Sequence, residues 1–423
     1  MTLKKIGKAL LAQRMERQVR SLRQKNKITV IAVCGSVGKT STKLAIAKTL
    51  SGAHRVKFQE GNYNDRLTVP LVFFGHEQPG IYNLVGWRRI IRQNRKQLAK
   101  PYPYDTVVVE LGTDAPGQLK EFSYLQPDIM VLTAIADEHM EYFKTLKAVA
   151  AEELVPVSFS EQILVNADDV PPEYIPQTTH LSYGLEAGNY TTTERKPVGL
   201  QGQQIAFRLP SGKDFTAQVA ALGDQGAKIV LAAVAVADMV GMSATAIKQA
   251  LKAVTPVSGR MQILAGKRGS IIIDDTYNAS PVAVEAALDV LYNAEATQRI
   301  AILGSMNELG DDSPTLHSEI GGYCDPGKLD LVVTIGKEAA DYLAPVAKNQ
   351  GCKVQTFMSP YDAGRYVAEH VRQGAVVLAK GSQNGVFAEE AVKILLANQS
   401  QARKLVRQSA YWMAQKEAQF PNT

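Results

Sequence analysis

The first half of the chain alternates short apolar runs with longer segments in which apolar residues recur at helical spacing. Continuous apolar runs of strand length are typical of strands buried on both faces of a parallel sheet. The predicted strands lie at residues 28–33, 106–110, 129–133 and 162–166. From residue 28 to residue 254 we therefore predict a mainly parallel sheet that is covered by helices on both faces.

A more polar stretch follows these strands. Residues 180–219 alternate polar and apolar side chains around two glycine turns, which indicates a small antiparallel β insertion. Residues 226–240 are rich in Ala and Val and predict a helix. The sequence TPVSG at residues 255–259 then breaks the pattern, and we interpret it as a linker between two domains.

Beyond the linker, a second alternation of strands and helices begins. The predicted strands lie at residues 270–274, 300–304, 329–335, 354–357 and 375–379, and the predicted helices at 282–294, 314–324, 338–347, 361–372 and 385–397. This order predicts a second doubly wound α/β domain at residues 255–400. Residues 401–423 predict a polar terminal helix with a frayed end.

Positive charge is concentrated in two segments. Residues 1–27 hold nine Lys and Arg against Glu16 alone, and residues 86–100 hold six against no acid, although the whole chain carries only +6. The first predicts a basic amphipathic helix, and the second repeats the pattern around Trp87. Both segments fit a role in contact with anionic lipid headgroups or a phosphorylated substrate. They fit equally well as helices that cover a domain and expose their basic faces to solvent. Nucleic acid is the weaker alternative, because no aromatic-studded binding motif is present.

Composition is typical of a soluble globular protein with two or three domains. The 423 residues are 45% apolar and 21% charged, and the three cysteines form no CxxC pair. No run approaches the roughly 18 apolar residues of a membrane span, and no signal core follows the N-terminal charges. We therefore expect a cytoplasmic protein, with peripheral membrane contact left open.

The most informative motif is AVCGSVGKTST at residues 32–42, which directly follows the first apolar run. A strand that enters a glycine turn and a helix start forms a cradle for phosphate. The predicted nucleotide contacts are Gly35, Ser36, Gly38, Lys39, Thr40 and Ser41, with Lys39 at the phosphates and Thr40 on Mg²⁺. The loop is a variant, since Val33 stands where the strict pattern has glycine. It predicts binding of a nucleoside triphosphate.

Two further side chains follow strands of the same predicted sheet. Glu110 ends the run 106–110, and His139 lies shortly after the run 129–133. Both therefore lie near the sheet edge that carries the phosphate loop, where a carboxylate can hold Mg²⁺. On its own, His139 is more often an ordinary surface residue than a ligand.

An ordered series of motifs between residues 28 and 397 resembles the Mur ligase family, and within it the D-alanyl-D-alanine-adding branch. In chain order these motifs are GSVGKTST, EGNYND, VVVELG, DEHMEYF, SGRM, DDTYNASP, GSMNELG and AKGS. The resemblance implies a central phosphate-loop ATPase domain and a C-terminal Rossmann-like domain that close on each other. It also implies that ATP phosphorylates a substrate carboxylate and that an amine then attacks the acyl phosphate.

The resemblance also implies roles for individual residues. It assigns catalysis to Lys39, His139, Arg260 and Lys380. It assigns nucleotide contact or positioning to Arg260, Asp275, Tyr277 and Asn278. It assigns Mg²⁺ to Thr40, Glu110 and His139, and substrate contact to Asn62, Asn64, Lys380 and Ser382.

Three departures from the family pattern change these expectations. Glu153 lies where many members carry a carbamylated lysine, and we predict that it substitutes in the metal site, against the alternative of a solvated helix glutamate. The His and Asn expected near adenine are absent from residues 223–228, which weakens the case for ATP over other triphosphates. Only 27 residues, nine of them Lys or Arg, precede the first strand, so we expect the usual N-terminal domain for the UDP-linked substrate to be missing.

The leading functional expectation is an ATP- and Mg²⁺-dependent ligase that adds an amino acid or dipeptide to a cell-wall peptide precursor. One alternative keeps the chemistry and changes the acceptor to another peptide or a polyglutamate-like chain. A second is a nucleotide-binding scaffold without catalysis, and an ATPase acting on nucleic acid is the weakest. The expected partners are small-molecule or peptide substrates, with an anionic membrane or lipid-linked precursor as an open possibility and no nucleic acid.

Overall fold

A six-stranded parallel sheet forms the core of the first domain in the computed structural model, which describes residues 3–61, 63–80 and 83–421. Its strands are β1 (Thr29–Cys34), β2 (Val56–Lys57), β3 (Thr106–Glu110), β4 (Ile129–Leu132), β5 (Gln162–Asn166) and β6 (Leu181–Tyr183). They are ordered β2-β3-β1-β4-β5-β6, and all neighbours are parallel. The predicted parallel sheet is therefore confirmed.

Helices cover both faces of this sheet. They are α1 (Leu3–Lys25), α2 (Lys39–Leu50), α3 (Val69–Phe74), α4 (Leu84–Gln97), α5 (Met140–Phe143), α6 (Leu146–Glu153), α7 (Gly223–Met239) and α8 (Ala244–Ala250). Side chains of β1 alternate between the two faces: Ile31 packs with α2 and α7, and Val30 packs with α1 and α3. Because both faces are buried, the interiors of β1, β3, β4 and β5 are apolar, and the polar residues of these strands lie at the strand ends.

The β insertion is smaller than predicted. A three-stranded antiparallel sheet contains β7 (Thr191–Pro197), β8 (Gln203–Arg208) and β9 (Phe215–Val219). The first segment of the predicted insertion, Leu181–Tyr183, instead joins the edge of the parallel sheet through β5. Its three residues are too few for the polar alternation to distinguish the two kinds of strand.

The second domain is built on a mixed six-stranded sheet. Its strands are β10 (Gln262–Ala265), β11 (Ile271–Asp275), β12 (Arg299–Gly304), β13 (Leu331–Ile335), β14 (Val354–Phe357) and β15 (Val376–Lys380), ordered β10-β11-β15-β12-β13-β14. Only the β10–β11 pair is antiparallel. This confirms the predicted α/β class and adds one edge strand, β10, that the sequence pattern did not predict.

Helices cover this second sheet on both faces. They are α9 (Pro281–Asn293), α10 (Ser313–Tyr323), α11 (Ala344–Asn349), α12 (Pro360–His370), α13 (Glu389–Leu395) and α14 (Ala410–Gln419). A π-helical turn at Ala339–Leu343 leads into α11, where the sequence predicts one regular helix. The predicted terminal helix corresponds to α14, which packs onto the domain because the Lys416 side chain is fully buried against Glu389 and Glu390.

The two basic segments form helices that cover the first domain. In α1 the apolar residues Met15 and Val19 are fully buried, and in α4 Trp87 and Ile90 are buried against α1. Within the described part of the chain, no helix combines the length and apolar character that a membrane span requires.

Candidate active site

The carboxyl edge of the first sheet faces the second domain across a cleft of about 900 Å³. Most of the predicted site residues line this cleft: Ser36, Gly38, Lys39, Thr40, Ser41, Asn64, Glu110, His139, Arg260, Asp275, Tyr277, Asn278 and Lys380. Gly35, Glu153 and Ser382 lie behind its wall, and Asn62 lies outside the described residues. Residues from seven separate motifs are therefore brought together at one place.

The phosphate loop depends on two glycines in the left-handed region. Gly35 has φ +119°, and a Cβ there would lie 2.5 Å from Thr133 Oγ1 and 2.8 Å from the backbone nitrogen of Ala134. Gly38 has φ +83° and starts α2, and no side chain caps the helix. The first backbone N–H groups of α2 and its dipole are thus directed at the cleft, which is the arrangement that binds phosphate.

Lys39 stands among carboxylates at the start of α2. Its Nζ lies 3.2 Å from Oε2 of Glu138. Burial alone would lower the pKa of Lys39, but the negative charges of Glu138, Glu153 and Glu110 raise it above the ordinary value. The ammonium group therefore stays charged, as a phosphate-binding lysine requires.

Glu110 ends β3 and is almost fully buried. Its Oε1 accepts a hydrogen bond from Asn64 Nδ2 at 3.2 Å, and Lys43 Nζ lies 3.3 Å from its Oε2. Among the described residues, none makes a hydrogen bond to Oε2. Burial lowers the pKa of Lys43, although Glu110 partly offsets this. Glu110 Oε2 is therefore a buried carboxylate oxygen paired with the Lys43 ammonium group, and it lines the same cleft as Thr40. A carboxylate and a hydroxyl oxygen are ligands that fit a divalent cation.

His139 is turned toward the second domain. It has φ +50°, and its Nδ1 lies 2.8 Å from Oε2 of Glu308, which belongs to the GSMNELG motif. The hydrogen bond to Glu308 raises the pKa of His139, and the same bond lowers the pKa of Glu308. His139 thus joins the two domains by an ion pair in this structure.

Glu153 lies beneath the phosphate loop rather than on the cleft wall. It is fully buried, and its Oε2 accepts a hydrogen bond from the backbone N–H of Gly35 at 2.7 Å. Burial raises the pKa of Glu153 well above its ordinary value, and the neighbouring Glu138 carboxyl adds to this effect. Glu153 therefore supports the phosphate loop from below. Because it is fully buried, the alternative that it is a solvated helix glutamate is wrong.

The four predicted metal ligands do not lie together here. Glu110 contacts Asn64, His139 contacts Glu308, and Glu153 contacts Gly35. Over the described ranges, no group of three His, Cys, Asp or Glu is arranged to hold a metal ion. The pair Thr40 and Glu110 fits Mg²⁺, and the full set of four stays a prediction.

Arg260 connects the second domain to the phosphate loop. Its Nη2 donates a hydrogen bond to Thr40 Oγ1 at 3.3 Å, and its guanidinium carbon lies 4.1 Å from the ring centroid of Tyr277. Stacking on an aromatic face holds a guanidinium while leaving donors free. Arg260 is therefore placed to carry a positive charge to the phosphate end of the cleft.

Lys380 and Ser382 hold the loops of the second domain in place. The ammonium group of Lys380 lies 2.5 Å from Asp275 Oδ2 and donates to the carbonyl of Asn278 at 3.0 Å. Ser382 donates to the carbonyl of Ala279 and accepts from the backbone N–H of Asn307. Ser382 is fully buried, so its position corresponds to a link between three motifs rather than a surface that meets substrate.

The other end of the cleft is apolar. Leu44 of α2, Ile229 of α7 and Ala286 of α9 line it. The start of α7 contributes Gly223 and Gln225, in the segment where the family resemblance places an adenine-binding His and Asn. An apolar slot with one amide side chain suits a purine ring. Gln225 supplies that amide, in the segment where the resemblance places the His and Asn.

Sequence reasoning missed Arg407, which lies in the polar tail. Its guanidinium donates to the carbonyls of Thr276 and Tyr277 at 2.5 and 2.9 Å, and it also pairs with both carboxylate oxygens of Glu389. These carbonyls belong to the DDTYNASP loop that carries the ring beneath Arg260. No local pattern marks Arg407, because its role depends entirely on a distant backbone.

Asp274, the first residue of the DDTYNASP motif, is expected to make the stability of the protein depend on pH. It is fully buried, and burial raises its pKa to about 6, with hydrogen bonds from Thr276 acting in the opposite direction and Asp275 and Glu389 adding to the rise. An unfolded aspartate titrates near pH ~3.9, so the contribution of Asp274 to native stability falls as the pH rises from about 4 to about 6. We expect Asp274→Asn to remove this decline and to stabilise the protein by on the order of 2 kcal/mol at neutral pH.

Urea unfolding across that pH range measures this effect. The matched control is Asp311→Asn, because Asp311 is exposed in the same domain. An Asp274→Asn profile that still declines between about pH 4 and 6, parallel to that of the parent protein, would contradict the assignment.

Comparison with known proteins agrees with this arrangement. The Mur ligase middle domain matches residues 33–237, and the Mur ligase glutamate ligase domain matches residues 259–383. The UDP-N-acetylmuramoyl-tripeptide–D-alanyl-D-alanine ligase of Bacillus subtilis is 28% identical over 375 residues, which cover 87% of this chain and 76% of that protein.

Solved structures with the same fold include two MurF proteins. The structure of MurF from Acinetobacter baumannii has a TM-score of 0.74 and 24% identity, and the match covers 90% of this chain and 80% of the MurF chain. The structure of MurF from Thermotoga maritima in complex with ADP has a TM-score of 0.74 and 22% identity, and the match covers 93% of this chain and 84% of the MurF chain. With both of the family's domains matched in order along the sequence, the chain belongs to the Mur ligase family.

Proposed function

We propose that this protein is an ATP-dependent ligase that forms an amide bond between a carboxylate of a cell-wall peptide precursor and an amino acid or dipeptide. The observation that carries the proposal is a single cleft that collects cations from both domains, with Lys39 on one wall and Arg260 and Lys380 on the other. A nucleotide-binding scaffold has no need for cations on the second wall.

The proposed reaction has two steps. The γ-phosphoryl group of ATP moves to the acceptor carboxylate and gives an acyl phosphate and ADP. The amine then attacks the acyl carbon, loses a proton, and releases phosphate as the amide forms. Both steps develop negative charge on phosphoryl or acyl oxygens, which positioned cations stabilise most strongly where water is excluded.

Each residue of the cleft has a distinct part in this proposal. Lys39 and the first turn of α2 hold the phosphates, and Arg260 stabilises the transferred group from the second domain. Thr40 and Glu110 would hold Mg²⁺, which would screen the phosphate charge. Lys380, held by Asp275 of the DDTYNASP loop, supplies positive charge near the incoming amino substrate.

The metal assignment leads to a comparison of two variants. We expect Glu110→Gln to raise the Mg²⁺ concentration at half-maximal turnover on the order of tenfold or more, because the buried Oε2 loses its charge. We expect Glu153→Gln to raise it less than about threefold, because the amide oxygen still accepts from Gly35 N–H. Equal shifts for the two variants would instead support the metal set that includes Glu153.

ADP release tests the proposed function. The purified chain is given ATP, Mg²⁺ and D-alanyl-D-alanine with no acceptor, with UDP-muramoyl tripeptide, with the same peptide on a lipid carrier, and with free peptides. We expect release that requires both an acceptor and an amine, and mass spectrometry of the acceptor should show the added dipeptide. Release only with polyglutamate-like acceptors would change the substrate class. Release with no pairing would favour a nucleotide-binding scaffold.

A further inference from the structure

The two basic helices α1 and α4 lie side by side and run in the same direction. Gln18 Nε2 donates to the carbonyl of Ile91, and Lys25 Nζ donates to the carbonyl of Leu98, so both contacts join residues 73 positions apart. Asn94 Nδ2 also donates to Gln18 Oε1 at 2.8 Å. This constant offset shows that the pair is parallel and that its two N-terminal ends lie together.

The outward sides of this pair carry only positive charge. The two helices hold eight and five Lys and Arg, respectively, and one acid, Glu16. Glu16 is buried and pairs with Arg66 Nε at 2.7 Å. The exposed basic residues include Arg14 and Arg17 of α1. Exposed basic residues of α4 are Arg88, Arg89, Arg92, Arg95 and Lys96.

Exposed aliphatic side chains mark one end of the pair. Leu84 and Val85, at the start of α4, are 66% and 75% exposed. The offset of 73 positions places Leu10 of α1, which is 62% exposed, at the same end. The surface formed by the exposed residues of α1 and α4 therefore combines a cationic stripe with an apolar tip.

We propose that this helix-pair surface binds the face of an anionic lipid bilayer. Each Lys or Arg near a bilayer adds attraction to anionic headgroups, and exposed aliphatic residues enter the interface between headgroups and acyl chains. A nucleic-acid groove would favour the charge alone and would leave the apolar tip in water. The combination of charge and aliphatic tip therefore selects the bilayer.

The helix-pair surface also adjoins the cleft. Lys8, Ala9 and Ala12 of α1 line one end of the cleft, and Ala12 packs in the same cluster as Trp87 of α4. A bilayer bound at this surface would lie next to the cleft opening. A consequence that rests on the proposed function is that an acceptor carried on an anionic lipid is delivered there.

Vesicle sedimentation tests the surface without reference to turnover. The full chain is mixed with vesicles of phosphatidylglycerol and phosphatidylcholine, and with vesicles of phosphatidylcholine alone. We expect binding to the first that weakens with added salt, and little binding to the second. The affinity of the triple variant Arg88→Glu/Arg89→Glu/Arg92→Glu for the anionic vesicles should be lower by on the order of tenfold or more. Leu84→Ser/Val85→Ser should reduce the binding that persists at high salt.

The matched control reverses three exposed lysines outside the pair, Lys147→Glu/Lys252→Glu/Lys348→Glu, and should keep most of the binding. Circular dichroism and ADP release in vesicle-free buffer show whether each variant remains folded and active. Equal binding by the parent and the Arg88 triple variant, or no binding to anionic vesicles at low salt, would overturn the proposal. A short nucleic-acid duplex that binds this surface more tightly than the vesicles would also overturn it. Loss of vesicle binding leaves the ligase proposal untouched, since the two have separate readouts.

Discussion

Replacement of Lys39 by methionine is expected to reduce ADP formation by on the order of 10³-fold. Methionine keeps the length of the side chain and removes the ammonium group, whose charge the carboxylates of Glu138, Glu153 and Glu110 maintain. The loss of one positioned charge at a transferring phosphoryl group commonly costs about 10²–10³ in rate. A charge-assisted contact to the nucleotide is lost as well.

The matched control for this substitution is Lys48→Met. Lys48 belongs to the same helix, α2, but does not line the cleft, and it donates to Thr255 Oγ1 of the linker rather than to a group of the phosphate loop. Its removal should change ADP formation less than about threefold. Turnover of Lys39→Met within that same range, in protein that unfolds like the parent, would contradict the assignment of the phosphate loop.

Much of the fold can be predicted from local patterns of apolar and polar residues in the sequence. Strands β3 and β5 have the same bounds as predicted, because their runs are continuous, apolar and flanked by turns. Strand β10 escaped prediction because Gln262–Ala265 is a short, half-exposed edge that directly follows the linker. The first turn of α2 consists of polar residues 39–42, so helical periodicity gives no apolar signal for where this helix begins.

The site was harder to predict than the fold. Most of the predicted site residues line the cleft, but their partners depend on how the two domains meet. The His139–Glu308 pair and the Arg260–Thr40 hydrogen bond join residues more than 160 positions apart, and no spacing rule reports them. Likewise, the hydrogen bond from Gly35 to Glu153 follows from the position of α6 beneath the loop.

The contacts together form one continuous line of support from the tail to the phosphate loop. Lys416 and Arg407 both pair with Glu389, and Arg407 holds the carbonyl of Tyr277. The ring of Tyr277 lies under Arg260, which in turn reaches Thr40. The tail, which lies beyond the residues matched by the family's second domain, therefore contributes to the geometry of the cleft.

Glu389→Gln is expected to destabilise the second domain by about 3–5 kcal/mol. Glu389 and Lys416 are fully buried, and Arg407 is nearly so, so the neutral amide would leave two buried cations with only Glu390 as a carboxylate partner. Removing one partner of a buried ionic group costs far more than losing an exposed pair, because the remaining charge cannot regain its water. Thermal and urea unfolding measure the loss.

The same substitution should also raise the KM for ATP, because Arg407 would no longer be held against Thr276 and Tyr277. The control is Glu417→Gln on the exposed side of α14, which should change the unfolding free energy by less than about 0.5 kcal/mol. Pairing Glu389→Gln with Lys416→Met should recover part of the loss, since one unpaired cation is removed. A Glu389→Gln protein as stable as the control would mean that Glu390 alone neutralises both cations, and the line of support from the tail would then not depend on Glu389.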